Sequence, residues 1–409
     1  PIGYVRWTER RNMQEFLRLV ATGQVTPSRL TSHRFDLAEA ERAYAIVTGE
    51  DRQPFLGVIL SYPQDASAGG RTVLLRPAAP SGKIGLGVIG AGNFAKAVLL
   101  PRIAKVGVDL VGVSTATGAS ARTTGDKFGF GYCTTDTDKL LADPAVHAVV
   151  IATRHGSHAG QTARALRAGK AVFVEKPLAL DEEGLREVLQ AQAETGGVLA
   201  VGFNRRFSPL VEQMKQAFAP NAPLAMTYRI NAGPIPPTSW IHDPEQGGGR
   251  IIGEVCHFVD LVQHVADDEV TEVFALNAGG HAAPLHDVVT VSLRMRNGSI
   301  ASISYFSTGD KSYPKERLEV FGGGAIAVLD DFRELTISRN GKRKSVKKLS
   351  QDKGFDEEIA AFLAAVKGGA MPIPLRSLVA TTRATFAIEQ SLATGQPVPV
   401  DADARPAEG

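Results

Sequence analysis

The chain has 409 residues, 44% of them hydrophobic and 22% charged, with a formal net charge of +2. That length allows two or three domains, and that composition a sizeable core. The near balance of charge excludes a general affinity for nucleic acid or anionic membrane, and no apolar run approaches the ~18 residues of a membrane span.

Only two cysteines occur, Cys133 and Cys256, far apart and without metal-ligand spacing. They exclude a disulfide framework and a structural zinc, and they suit a reducing, cytoplasmic compartment. No signal peptide is visible, and a start at Pro1 in mid-pattern is expected of a fragment or a trimmed chain.

Residues 1–64 read as a small separate unit. Asn12–Ala21 has helical periodicity, Asp36 is placed to N-cap a helix over Leu37–Thr48, and Phe55–Leu60 reads as a strand. Asp65–Gly82, rich in Ala, Gly, Pro and Ser, reads as a linker. From Lys83 the pattern alternates. Apolar runs at Ile84–Ile89, Val108–Val113, His147–Thr153, Ala171–Glu175 and Val198–Phe203 are interleaved with helical segments, among them Gln161–Ala168 and Asp181–Glu194. Repeated strand–helix units predict a Rossmann-type, doubly wound parallel sheet over 83–207.

After Pro209 strand follows strand: Ala225–Asn231, Glu269–Ala278, Asp287–Arg296, Ile300–Thr308, Arg317–Phe321 and Ala325–Asp330. One helix, Arg250–Val265, interrupts early and two, Phe355–Val366 and Ser377–Ala393, come late. The basic run Lys342–Lys348 follows an Asn-Gly turn and reads as the solvated face of an edge strand. Residues 208–400 are therefore expected to form an α+β domain with a large, mostly antiparallel open sheet, and 401–409 a tail.

The chemistry-bearing stretches lie at the seams of this pattern. Gly90-Ala91-Gly92-Asn93-Phe94-Ala95 follows the first strand and opens a helix, the G-x-G-x-x-A form of a dinucleotide site. Gly90 permits the turn, Gly92 admits a pyrophosphate, Ala95 lets the helix pack close, and the helix N-terminus faces the phosphates. Where the next strand ends, at Ser114-Thr115-Ala116-Thr117, no carboxylate awaits the adenosine ribose, so NADP is tolerated beside NAD, with Arg122 the nearest cation.

Glu175-Lys176-Pro177 closes a later strand, where doubly wound sheets place ligands. In the block Gly247–Asp260, glycines precede a helix carrying Glu254, His257 and Asp260 near one face. His257 suits a general base with a carboxylate to orient it. A metal on His257, Glu254 and His264 is disfavoured for want of a clear ligand spacing, and Arg206 and Trp240 are candidate cleft residues.

Together these motifs, with Ala152-Thr153…His158-Ala159 and Val201-Gly202-Phe203-Asn204-Arg205-Arg206-Phe207, resemble the Gfo/Idh/MocA oxidoreductases over about Lys83–Pro399. The resemblance implies an NAD(P)-dependent hydride transfer to or from a sugar, cyclitol or nucleotide sugar, in a homodimer or homotetramer. It implies Lys176 and His257 as catalytic residues, with Glu254 beside them. It draws Ser114, Thr115, Thr153, Arg154, His158 and Glu175 into the cofactor site with Lys176, and Arg206, Trp240 and Asp260 toward the substrate. Two departures stand out: Gly253 where the family has an aspartate, and Arg154-His155-Gly156-Ser157 where it has a Pro-Asn type of loop. They leave open a non-catalytic dinucleotide-binding scaffold or regulatory partner. Residues 1–64 resemble the C-terminal tail of zinc-type medium-chain alcohol dehydrogenases, through Phe16-Leu17, Thr31–Phe35, Ala38-Glu39-Ala40 and Ala43-Tyr44. That arrangement is similar to the bidomain oxidoreductases of polysaccharide synthesis.

Overall fold

The computed structural model describes residues 8–62, 71–76, 82–220, 222–280 and 286–403. The chain divides into two compact units, 1–70 and 71–409.

In the first unit the helix Glu9–Ala21 is capped by Thr8, whose hydroxyl accepts from the Arg11 amide at 3.2 Å. Thr31–Asp36 is a strand that pairs in parallel with Gly57–Ser61, with the helix Ala40–Thr48 between them. The sequence pattern had not marked Thr31–Asp36 as a strand. Asp36 ends it and makes no side-chain cap, because the chain first passes through a short 3-10 turn at Leu37–Glu39.

The second unit carries a parallel sheet. Its strands lie in the order 72–74, 132–134, 109–114, 85–89, 148–151, 171–174, 199–201. All neighbours are parallel except the first pair. Thr72–Leu74, within the stretch read as linker, is thus an added antiparallel edge strand. Most of that stretch, including 65–70 and 77–81, lies outside the described residues, as does the tail from 404. Strand order reverses between Gly85–Ile89 and Ala148–Ile151, which opens a crevice at their carboxyl ends. Gly85–Ile89 is buried along its whole length, as a central parallel strand requires. After it the helical segment widens into a π-type turn at Ala95–Leu99 and runs on as Leu100–Ile103 around Pro101. An unmade bond at the proline nitrogen accounts for that irregularity.

Among the described residues, nine strands form the second sheet. It is antiparallel but for one pair, Ala225–Asn231 with Ile300–Phe306. Lys342–Lys347 is its edge strand, largely exposed as the basic run suggested. The alternating burial of Val288–Met295 and Ile300–Phe306 shows one face turned to a core. That core is shared with the helices Cys256–Ala266 and Leu375–Thr394.

A buried ion cluster ties the two layers. Arg205, just past the parallel sheet, donates two 2.9 Å bonds to Glu316 on the second sheet. Glu316 is 1% exposed and also accepts from Tyr228 Oη at 2.5 Å and Lys353 Nζ at 2.7 Å. Opposed to the cost of burial, these cations hold its carboxyl far below the usual range. Removing the carboxylate strands buried Arg205 and half-buried Lys353, so Glu316→Ala is expected to cost about 3–5 kcal/mol in urea unfolding, far more than an exposed ion-pair deletion.

Candidate active site

The crevice at the parallel strand ends broadens into a cleft of about 1260 Å³. Gly90 has φ +87°, and a Cβ there would meet the Ala152 carbonyl oxygen at 2.6 Å, so both conformation and space demand glycine. A Cβ on Gly92 would meet nothing within 4 Å. Open space beside a bare backbone at the start of a helical segment fits a pyrophosphate. Asn93, Phe94 and Ala95 line the same end. Ser114 and Thr115 line it too, their hydroxyls bonded to Thr137 Oγ1 at 2.9 Å and the Thr117 carbonyl at 2.8 Å. Arg122 is not among the lining residues; it pairs with Asp126 at 2.7 Å. Lys96 is not a lining residue either, but its Nζ reaches the Oγ of Ser120, which is, at 3.5 Å.

Farther along, Thr153, Arg154, His158, Glu175 and Lys176 line the cleft together with Trp240, Glu254 and His257. Lys176 is joined to Pro177 by a cis peptide, and its Nζ donates to the Gly253 carbonyl at 2.8 Å. His158 Nδ1 and the Pro177 carbonyl are 2.7 Å apart, and burial lowers the imidazole to about 4. Glu175, buried behind the lysine, is raised by burial to about 7, although Lys176 pulls the other way.

His257 is 8% exposed and its Nδ1 has no hydrogen-bond partner. Burial, then Arg205, Lys176, Lys315 and Lys353, pushes it well below 6.5. It is a neutral imidazole that lines the cleft, with its Nδ1 buried and unpartnered. Glu254 does not reach it. The carboxylate accepts from Lys315 Nζ at 2.8 Å, Arg250 Nη2 at 3.0 Å and Tyr305 Oη at 2.5 Å. Arg206 and Asp260 form their own buried pair, 2.5 and 3.0 Å, and neither lines the cleft. His264 lies 2.8 Å from Glu212, apart from His257 and Glu254.

Sequence reasoning passed over Arg205, Lys315, Lys353 and His155, all of which line the cleft. Asn204–Phe207 is a 3-10 turn, so successive arginines point about 120° apart. Arg205 therefore faces the cleft and Arg206 the core. Lys315 and Lys353 belong to no local motif and come in from loops before Glu316–Gly322 and Phe355–Val366.

His155 explains both departures in the sequence. A Cβ at Gly253 would stand 2.9 Å from His155 Cε1 and 3.2 Å from Nδ1. The ring is held by a 2.8 Å bond between Nδ1 and the Gly247 carbonyl and by edge contact with Trp240 at 4.9 Å. Burial and Lys176 lower it to about 3, so it too is neutral. His155 occupies the space that a side chain at 253 would need.

Fold and cleft together define a two-layer dehydrogenase architecture: a nucleotide crevice opening onto a pocket of lysine, histidine and ion-paired glutamate. The model for the oxidoreductase family with an NAD-binding Rossmann fold matches residues 84–203, and that for the GFO/IDH/MocA C-terminal domain matches 224–327. The chain belongs to the Gfo/Idh/MocA oxidoreductases. Neither model reaches residues 1–83.

Among relatives, a 1,5-anhydro-D-fructose reductase of Ensifer adhaerens is 28% identical, aligned over 77% of this chain and 98% of that one. An inositol 2-dehydrogenase of Rhizobium meliloti is 29% identical over 70% of this chain and 90% of that one. The fold matches an NAD binding oxidoreductase from Klebsiella pneumoniae at TM-score 0.70 and 22% identity, over 78% of this chain and 100% of that one. It matches levoglucosan dehydrogenase in complex with NADH and levoglucosan at TM-score 0.69 and 23% identity, over 78% and 99%.

Two outcomes follow. Gly253→Asp is expected to displace His155 and destabilise by about 1–3 kcal/mol in thermal unfolding, and adding His155→Ala is expected to restore most of the loss. A Glu254 carboxyl at about 2 instead of 4.5 adds stability that is complete above pH 4.5 and disappears as pH falls toward 2. Denaturant melts across that interval are expected to show Glu254→Gln losing on the order of 2 kcal/mol of the acid dependence.

Proposed function

We propose that this chain oxidises a carbinol carbon of a sugar or cyclitol, or reduces the matching ketone, with Lys176 and His257 as catalytic residues. The observation that carries the reading is the neutral imidazole of His257 lining the same cleft as Lys176 and the glycine turn. A dinucleotide with its pyrophosphate at Gly90–Ala95 would supply the hydride acceptor or donor. In the oxidative direction the His257 imidazole takes the hydroxyl proton, and the Lys176 ammonium stabilises the negative charge growing on the same oxygen. The bond to the Gly253 carbonyl fixes where that ammonium points. Glu254 acts at one remove, anchoring Lys315, Arg250 and Tyr305 in the pocket wall. Trp240 and Arg154, whose guanidinium stands 5.7 Å from the indole ring, are read as the substrate-side rim.

The relatives named above, a sugar-derivative reductase and an inositol dehydrogenase, support the substrate class. Buried, free Cys133 and Cys256 suit the cytoplasm, and among the described residues no helix is long and apolar enough to cross a membrane. Exposed Leu276, Ile300, Phe321 and Ile326 on the sheet support a homodimer or homotetramer. For residues 1–64 the likeness to an alcohol dehydrogenase tail rests on their sequence alone, and neither family model reaches them.

In turnover assays over a panel of sugars and inositols, His257→Ala and Lys176→Met are each expected to lower kcat by roughly 10²–10⁴. Wild-type turnover in both would overturn the assignment. The absence of a carboxylate at 114–117, with Lys96 nearby, leads us to expect NADPH to bind within roughly tenfold of NADH, about 1.4 kcal/mol, and Lys96→Ala to weaken NADPH selectively in fluorescence titrations.

A further inference from the structure

Charge is unevenly spread in the cleft. Around His257 stand Lys176, Arg205, Lys315 and Lys353, each of which acts electrostatically on its ring. Arg250 joins them through Glu254. Against these five cations stand two fully ionised carboxylates, Glu254 and Glu316. The other acids nearby add little. Asp260 is matched by Arg206, Glu358 is buried without a partner and raised well above the ordinary carboxyl range, and Glu175 is raised to about 7.

The imbalance is built into the fold. Arg205 is 6% exposed, so its charge is screened little by water. Lys315 and Lys353 each have one carboxylate bond, which leaves further ammonium protons for another acceptor. His257, 8% exposed and unpartnered at Nδ1, marks the point on which they converge. The pyrophosphate does not answer this charge, because its place is the glycine turn at Gly90–Ala95.

We infer that the substrate is an anionic sugar, whose carboxylate or phosphate binds beside Lys315, Lys353 and Arg205 while the reacting hydroxyl lies at Lys176 and His257. The inference rests on the oxidoreductase reading and narrows it. Such an anion also offsets the cations that suppress proton uptake by His257, so substrate binding itself readies the base.

The test is isothermal titration of the full chain, with and without saturating NADH, at low and physiological salt. The probes are D-glucuronate, glucose 6-phosphate, D-glucose and myo-inositol. We expect glucuronate or glucose 6-phosphate to bind at least roughly tenfold more tightly than glucose, with the advantage shrinking as salt rises. Which of the two binds tells a carboxylate site from a phosphate site. Lys315→Gln is expected to erase the preference and Lys315→Arg to keep it. Equal binding of glucose or inositol, binding of none of the four, or a preference that survives Lys315→Gln would overturn the inference. NADH binding is read separately from the same titrations. A chain that prefers the anions but ignores NADH would sink the oxidoreductase reading and leave the anion site standing.

Discussion

The 2.8 Å bond from Lys176 Nζ to the Gly253 carbonyl is the point on which the site turns. It runs from the end of a parallel strand to the first turn of the helical segment leading into the second layer. Neither end is adjustable. The strand Ala171–Val174 is held on both sides by neighbouring strands. Ile251–Val255 is almost wholly buried, with only Glu254 partly exposed. A long, flexible ammonium thus acquires a fixed direction, which a group meant to stabilise charge at one atom requires. The bond also accounts for what surrounds it. With residue 253 lacking a side chain, the space above the carbonyl goes to His155, and Trp240 closes over that ring in turn.

Around this point the protein keeps histidines neutral and cations charged. His155, His158 and His257 are all lowered, each first by burial. Burial alone would also neutralise the carboxyls, and it does so toward Glu175 and Glu358. Glu254 and Glu316 escape because several donors meet each of them. One physical cost therefore gives opposite results, according to how many hydrogen bonds the side chain finds.

Much of this was legible in the sequence, and the limits have a common cause. The glycine turn, the strand end at Glu175-Lys176-Pro177 and the helix with His257 were readable because each is local: a period, a turn and a residue type within a dozen positions. Ala225–Asn231, Ala325–Asp330 and Phe355–Val366 have the bounds that their patterns indicate. Thr31–Asp36 and Thr72–Leu74 were missed because short edge strands carry little periodicity. Choosing between Arg205 and Arg206 needed the phase of a 3-10 turn, which no periodicity over four residues reveals. Lys315 and Lys353 lie 61 and 37 residues from Glu254 and Glu316, the side chains they serve; only the fold makes the 2.8 and 2.7 Å contacts.

Gly253 and His155 show the same limit from another side. Read separately, an aspartate lost and a loop altered both looked like damage to a catalytic site. Because a Cβ at 253 would stand 2.9 Å from His155 Cε1, the two belong together: a ring from the nucleotide domain fills the room that a side chain on the helix would need. His155, lowered to about 3, is neutral at physiological pH, so the side chain that fills this space puts no negative charge beside Lys176. The positive surplus around His257 is consistent with this, since Glu254 is already matched by Lys315 and Arg250 and Glu175 is raised by burial. The departures in the sequence thus meet at one place, among the same few residues that bind the two layers together.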